Sequence, residues 1–128
     1  MCVRVFLADD AELMLRAIRT LLSNRKDIAV VGEASNFRET IQKTAELHPD
    51  LIILDIHMTD SNGFAPTEIK GSLNGAKVLG ISFGTDEHTS ELANIVGAAR
   101  LLDKMDLAQE LIPTILELAE VRTSQAVS

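Results

Sequence analysis

Polar side chains that could do chemistry follow apolar segments at four places in this sequence. They are Asp9-Asp10, Asp55, Ser82 and Lys104. Asp55 is the most informative of them, because it ends an apolar run at 51–54 that is typical of a strand buried on both faces. If the other segments are parallel strands as well, all these groups would meet at the rim of one sheet, where ligands bind.

The chemistry expected of such a group follows from its charges. Three clustered carboxylates repel one another unless positive charge compensates them, and Lys104 supplies only one ammonium. Mg²⁺ would add two charges, and it prefers hard oxygen ligands together with waters and phosphate oxygens. A carboxylate can attack phosphorus to give an aspartyl phosphate, whose oxygens a metal, an ammonium and a hydroxyl would stabilise. The group therefore predicts an aspartate that accepts a phosphoryl group, although each residue alone also suits a turn, a cap or a solvated charge.

The elements that must position these groups alternate along the chain. Apolar runs predict strands at 3–8, 28–31, 51–54, 78–82 and 100–103. Helical periodicity predicts helices around 14–22, 37–45, 66–73, 92–96 and 111–119. Right-handed crossovers then give an α/β fold, a doubly wound five-stranded parallel sheet with five helices. We expect the flavodoxin-like strand order 2-1-3-4-5, one domain at 1–121, and a polar tail or start of a linker at 122–128.

Composition limits the partners of this chain. The net charge of −7 argues against contact with nucleic acid or with an anionic membrane. The single cysteine, Cys2, excludes an internal disulfide and a multi-cysteine metal site, and the three histidines lack the spacing of metal ligands. Since no apolar run approaches the length of a membrane span and the start shows no signal-peptide layout, we expect a cytoplasmic location by default.

The order of the motifs resembles the receiver domain of bacterial two-component response regulators. The matching pieces are Leu7-Ala8-Asp9-Asp10, Leu54-Asp55 followed by Met58 and Gly63, Ile81-Ser82, Gly97-Ala98 and Lys104. The likeness covers nearly the whole chain. The segment at 30–35 and the Leu-Ala-Asp-Asp opening resemble the subfamily with a helix-turn-helix DNA-binding output domain. The chain could be a stand-alone regulator or the receiver part of a DNA-binding one.

The resemblance implies a metal site around the phosphoacceptor. Asp55 would accept the phosphoryl group. Asp9 and Asp10 would hold Mg²⁺ together with Asp55 and the backbone carbonyl of His57.

The resemblance also implies the remaining roles and the partners. Lys104 would pair with the phosphoryl group, and Ser82 would be the hydroxyl that moves toward it. The donor would be a histidine kinase or a phosphotransfer protein. The domain would be a signalling module, catalysing only its own phosphotransfer and self-dephosphorylation. An output domain or partner protein would respond to its state, and a homodimer would form through the face of the fourth helix, fifth strand and fifth helix.

Four residues depart from the family pattern. Thr59 stands where a proline is usual, and Met105 where many members have one. Leu101 replaces an aromatic residue that couples the site to the outer face. Phe83 replaces a small residue, and its ring could restrict access of a donor or of water. These departures motivate one alternative, a receiver-like interaction module that works without phosphorylation.

Two further alternatives belong to other classes. The segment from Asp55 to Thr59 partly matches the nucleophile loop of haloacid-dehalogenase-type phosphatases, but His57 stands where such enzymes need a second aspartate. A flavodoxin-like carrier would need a phosphate-cradling loop and aromatic rings around the flavin. Asp9 and Asp10 would repel a phosphate there, and the chain has no Trp or Tyr.

Overall fold

The computed structural model describes residues 2–58, 71, 73 and 75–127, with side chains as far as residue 119. Its sheet consists of β1 (Val3–Ala8), β2 (Ile28–Ala34), β3 (Leu51–Asp55), β4 (Lys77–Ser82) and β5 (Ala98–Asp103). All four strand pairs are parallel, and the order is β2-β1-β3-β4-β5. The predicted fold class and strand order are therefore confirmed.

Four helices occur in the described part of the chain. They are α1 (Glu12–Leu22), α2 (Phe37–Leu47), α3 (Glu87–Ile95) and α4 (Leu107–Val127), and a 3-10 turn (Lys104–Asp106) joins β5 to α4. The helix predicted around 66–73 falls largely outside the described residues. Among the helices that are described, none has both the length and the apolar character needed to cross a bilayer.

The last helix runs further than the sequence predicted. The sequence predicted a helix around 111–119, whereas α4 begins at Leu107 and continues to Val127. Extending an existing helix adds one backbone hydrogen bond for each residue fixed, so polar residues can continue it without a nucleation cost. Both the domain boundary at residue 121 and the tail or start of a linker at 122–128 stay predictions.

The core lies in two layers, one on each face of the sheet, because side chains of a strand alternate between faces. One layer packs the sheet against α1 and α4 and contains Val5, Leu7, Ile53, Leu79, Ile18 and Leu111. The other packs it against α2 and α3 and contains Phe6, Ile52, Leu54, Phe37 and Ala93. Every residue of β3 is buried, so Asp55 lies at the end of the most enclosed strand.

The strand register brings the predicted site residues to one edge. Ala8 at the end of β1 pairs with Leu54, the residue before Asp55. Ser82 at the end of β4 pairs with Asp103, the residue before Lys104. The carboxyl ends of four strands therefore meet at one rim, as the sequence predicted.

Candidate functional site

Three aspartates form the centre of this rim. Carboxylate oxygens of Asp9, Asp10 and Asp55 all lie within 4.8 Å of one another. Asp9 is fully buried and Asp55 is only 4% exposed, whereas Asp10 is exposed. Residues 9 and 10 directly follow β1, and Asp55 ends the neighbouring β3, so the parallel pairing of these two strands creates the cluster.

Lys104 places its ammonium inside the cluster. Its Nζ lies 2.8 Å from Asp9 Oδ2 and 3.5 Å from Asp55 Oδ2, and its side chain is 6% exposed. Asp103 caps the start of the 3-10 turn that contains Lys104. Its Oδ1 accepts a hydrogen bond from the Met105 N–H at 2.9 Å. One ammonium thus pairs with two of the three carboxylates, and it lies closer to Asp9 than to Asp55.

Backbone N–H groups fix one oxygen of each buried carboxylate. Asp9 Oδ1 accepts from the Ala11 N–H at 2.8 Å, and Asp55 Oδ1 accepts from the His57 N–H at 3.1 Å. The second oxygen, Oδ2, of both residues faces the ammonium of Lys104. Both buried carboxylates are therefore held in one orientation, with their remaining oxygens directed into the cluster.

Burial raises the pKa of Asp55 above its ordinary value of 3.8. Removal of the carboxylate from water is the largest cause, and the negative charges of Asp9 and Asp10 act in the same direction. The hydrogen bond from the His57 N–H and the charge of Lys104 oppose the rise. The ionised form of Asp55 is therefore disfavoured in the folded protein, mainly because its carboxylate is buried.

The cluster fits a hard divalent cation such as Mg²⁺. Asp9 Oδ2 is a buried oxygen that no hydrogen bond satisfies among the described residues, because its close contact with the Lys104 ammonium lacks hydrogen-bond geometry. The other candidate ligand atoms are carboxylate oxygens as well, which is the donor type that Mg²⁺ prefers. The His57 carbonyl stays a predicted ligand.

Comparison with known proteins decides the family. The model of the response regulator receiver domain matches residues 5–116. This chain belongs to that family. The receiver domain is a signalling domain of two-component systems, so the family match decides against the phosphatase and flavin-carrier alternatives.

Two curated relatives illustrate the match. The response regulator protein VraR from Staphylococcus aureus is 44% identical over 80 residues, which are 62% of this chain and 38% of VraR. Protein-glutamate methylesterase/protein-glutamine glutaminase 1 from Methanosarcina acetivorans is 37% identical over 83 residues, 65% of this chain and 23% of that protein. The matched part of this receiver domain thus corresponds to well under half the length of either relative.

Solved structures show the same fold. The response regulator domain of Thermotoga maritima CheB has a TM-score of 0.80 and 27% identity, covering 92% of this chain and 96% of that one. The signal receiver domain of the putative response regulator NarL from Mycobacterium tuberculosis also has a TM-score of 0.80 and 27% identity, covering 93% and 97%.

Ser82 and Phe83 lie beside the acidic cluster of this receiver domain. Ser82 is buried at the end of β4, and its hydroxyl donates a hydrogen bond to the Gly84 carbonyl. The Phe83 ring is exposed, and the Lys104 Nζ lies 5.2 Å from its centre, within the range of a cation–π contact. The ring that departs from the family pattern therefore contacts the cation of the site itself.

The other departures are placed differently. Leu101 is half-buried in the layer against α3, on the side of Gly80 and Ile56. Met105 is largely exposed beside Lys104. Thr59 lies outside the described residues.

One further contact was not predicted from the sequence. His57 Nε2 lies 3.2 Å from the hydroxyl of Thr89 in the first turn of α3. The available signal was Asp86, whose carboxylate begins α3 by accepting from the Thr89 N–H at 2.8 Å. That signal predicts the start of the helix but not which loop residue its threonine meets.

Proposed function

We propose that this receiver domain accepts a phosphoryl group on Asp55 from a histidine kinase or a phosphotransfer protein. Asp9, Asp10 and Asp55 would hold Mg²⁺, with the His57 carbonyl as a further ligand. The observation that supports this most directly is the buried carboxylate of Asp55, with one oxygen fixed by a backbone N–H and the other facing an ammonium among further carboxylates. A structural aspartate at the end of a strand needs none of these neighbours.

The residues of the site can each contribute to the transfer. An oxygen of Asp55 forms a bond to phosphorus while the phosphorus–nitrogen bond of the donor imidazole breaks, and the imidazole leaves with the electron pair. The His57 N–H keeps the carboxylate in one orientation, and the Lys104 ammonium stabilises the charge on the transferring group. Mg²⁺, when bound, neutralises charge on the carboxylates and on the phosphoryl oxygens. The surrounding burial keeps these interactions strong.

A groove next to the site suits the donor protein. It has a volume of about 520 Å³ and lies between α1 and the turn after β5. Leu13 is 76% exposed and Met105 is 78% exposed, and both line the groove. Lys104 lines the groove as well as the acidic cluster. We propose that an apolar face of the phosphohistidine-bearing donor covers the groove, because a donor seated there is adjacent to Asp55.

Ser82 would relay the phosphorylated state. Its hydroxyl would exchange the Gly84 carbonyl for a phosphoryl oxygen, which frees the segment that leads into α3. An output domain or partner protein, or a second copy docking on the face of α3, β5 and α4, would respond to that change. The second candidate is an interaction module independent of phosphorylation, which the exposed Phe83 ring over Lys104 favours.

Intact mass after incubation with acetyl phosphate tests the proposal. We expect a Mg²⁺-dependent gain of one phosphoryl group that is lost in the variant Asp55→Asn. Asp27→Asn is the matched control, since Asp27 pairs with Arg25 away from the cluster. No gain in the presence of Mg²⁺, although calorimetry detects binding of the ion, would contradict acceptance from a small donor and favour the interaction module.

A further inference from the structure

The imidazole of His57 is anchored to a buried hydroxyl. Its Nε2 lies 3.2 Å from Thr89 Oγ1, although the two residues are 32 positions apart in the chain. Thr89 is 3% exposed, whereas His57 as a residue is exposed. The imidazole of the exposed His57 is thus hydrogen-bonded to the hydroxyl of a buried threonine in the first turn of α3.

Asp86 holds Thr89 at the start of α3. Its Oδ1 accepts a hydrogen bond from the Thr89 N–H at 2.8 Å. Hydrogen bonding by Thr89, chiefly from this backbone N–H, holds the pKa of Asp86 below its ordinary value of 3.8. The Thr89 hydroxyl and the His57 ring nitrogen can each donate or accept, so the direction of the bond between them depends on the tautomer of the ring.

This chain of hydrogen bonds ends at the phosphoacceptor. The backbone N–H of His57 donates to Asp55 Oδ1 at 3.1 Å, and the carbonyl of the same residue is the proposed fourth ligand of Mg²⁺. Fixing the ring of His57 restricts the rotation of its backbone, and thereby the position of both its N–H and its carbonyl. A bond that fixes a ligand-bearing group typically strengthens metal binding.

We propose that Thr89 is a positioning residue for the Mg²⁺-binding loop, acting through the ring of His57. The inference rests on the proposed function, since it concerns how well the loop binds the ion. Removing the Thr89 hydroxyl tests this role without removing the cap of α3. Asp86 caps α3 through the backbone N–H of Thr89, which is retained whatever side chain residue 89 carries.

The test compares Mg²⁺ dissociation constants, measured by isothermal titration calorimetry on unphosphorylated protein. Thr89→Val removes the hydroxyl and keeps the branched shape, and we expect its affinity to fall by about 10-fold, the lower end for groups that orient a ligand. Thr89→Ser keeps the hydroxyl and should bind nearly as the wild type does. His57→Leu removes the same bond, so its Mg²⁺ affinity should fall by a similar factor. Because His57 is exposed, this substitution should leave folding unchanged.

A double-mutant cycle shows whether the two residues act through one bond. Adding Thr89→Val to His57→Leu should cost no further affinity. Equal Mg²⁺ affinity in the wild type and in both single variants would overturn the inference, as would fully additive losses. Absence of Mg²⁺ binding by the wild type would instead overturn the proposed function itself.

Discussion

Replacing Lys104 with methionine should destabilise the folded protein strongly. The Lys104 ammonium lies within ion-pair distance of both buried carboxylates of the site. Methionine has a similar length but no charge, so the variant leaves Asp9 and Asp55 facing each other without that compensation. Asp9 is fully buried and cannot recover its hydration in the folded state.

The magnitude follows from the two distances. At an effective dielectric constant near 20, a contact of 2.8 Å gives about 6 kcal/mol and one of 3.5 Å gives about 5 kcal/mol of Coulomb attraction. The desolvation of the ammonium and carboxylates offsets much of this sum, and breaking a buried pair typically costs about 3 to 5 kcal/mol. Lys104 is only 6% exposed, so the buried range applies here rather than the small values of surface pairs.

Urea denaturation followed by far-ultraviolet circular dichroism measures this free energy, because the chain has no Trp or Tyr for fluorescence. Lys26→Met is the matched control, since Lys26 is exposed in the connection before β2 and its loss should change stability by less than about 0.5 kcal/mol. Added Mg²⁺ should reduce the deficit of the Lys104 variant, because the ion replaces the lost positive charge.

Acidification provides an internal check on the cause. Protonating Asp55, whose pKa is raised, removes its repulsion with Asp9, so the deficit of Lys104→Met should shrink as the pH falls toward 3.8. A deficit below about 1 kcal/mol at neutral pH would refute the reasoning, since a pair of that strength behaves as a surface pair. A deficit that does not change with pH would refute the electrostatic cause and indicate lost packing instead.

Three further predictions follow from the same structure. Asp55→Asn should raise the free energy of unfolding at neutral pH, because the raised pKa of Asp55 means that its ionised form disfavours folding. This gain in stability should disappear as the pH falls to the ordinary pKa of 3.8. Urea denaturation across that pH range measures both effects. Gly80→Ala should destabilise by about 1 kcal/mol in the same assay, because the added Cβ would lie 2.9 Å from Ile56 Cδ1, the movable end of a side chain. Leu13→Ala and Met105→Ala should slow phosphotransfer from a kinase by about 10-fold each and slow the reaction with acetyl phosphate less, since each exposed side chain would be buried by the donor; equal slowing in both assays would contradict docking at the groove.

Much of this fold could be predicted because each strand contains a short apolar run. All residues of β3 are buried, so its pattern has no polar interruption to obscure it. The same burial made Asp55 conspicuous, and parallel pairing then placed the other strand ends beside it. The exact limits were less predictable, since β5 begins at Ala98 rather than residue 100 and α4 continues past the expected boundary.

The contacts of the site could not be predicted in the same way. The hydrogen bond of His57 with Thr89 depends on how the segment after β3 approaches the first turn of α3, which the apolar pattern of the sequence does not specify. The Lys104 Nζ lies less than 1 Å closer to Asp9 Oδ2 than to Asp55 Oδ2, and the turn that begins after Asp103 sets its position. Strand patterns specify which residues share an edge, whereas the partner of each charge depends on the geometry of the turns.

The position of Lys104 indicates how phosphorylation of Asp55 would rearrange the polar groups of the site. A phosphoryl group on Asp55 would add roughly one to two negative charges at neutral pH, which makes it the stronger attraction for an ammonium now 2.8 Å from Asp9. The ammonium would move toward residue 55, and the Ser82 hydroxyl would leave the Gly84 carbonyl for the same group. Both displacements begin at strand ends, and the second acts on the segment that leads into α3. Phosphorylation of Asp55 would thus act on Lys104 and Ser82 through the same charge, because both side chains lie at the rim that carries Asp55.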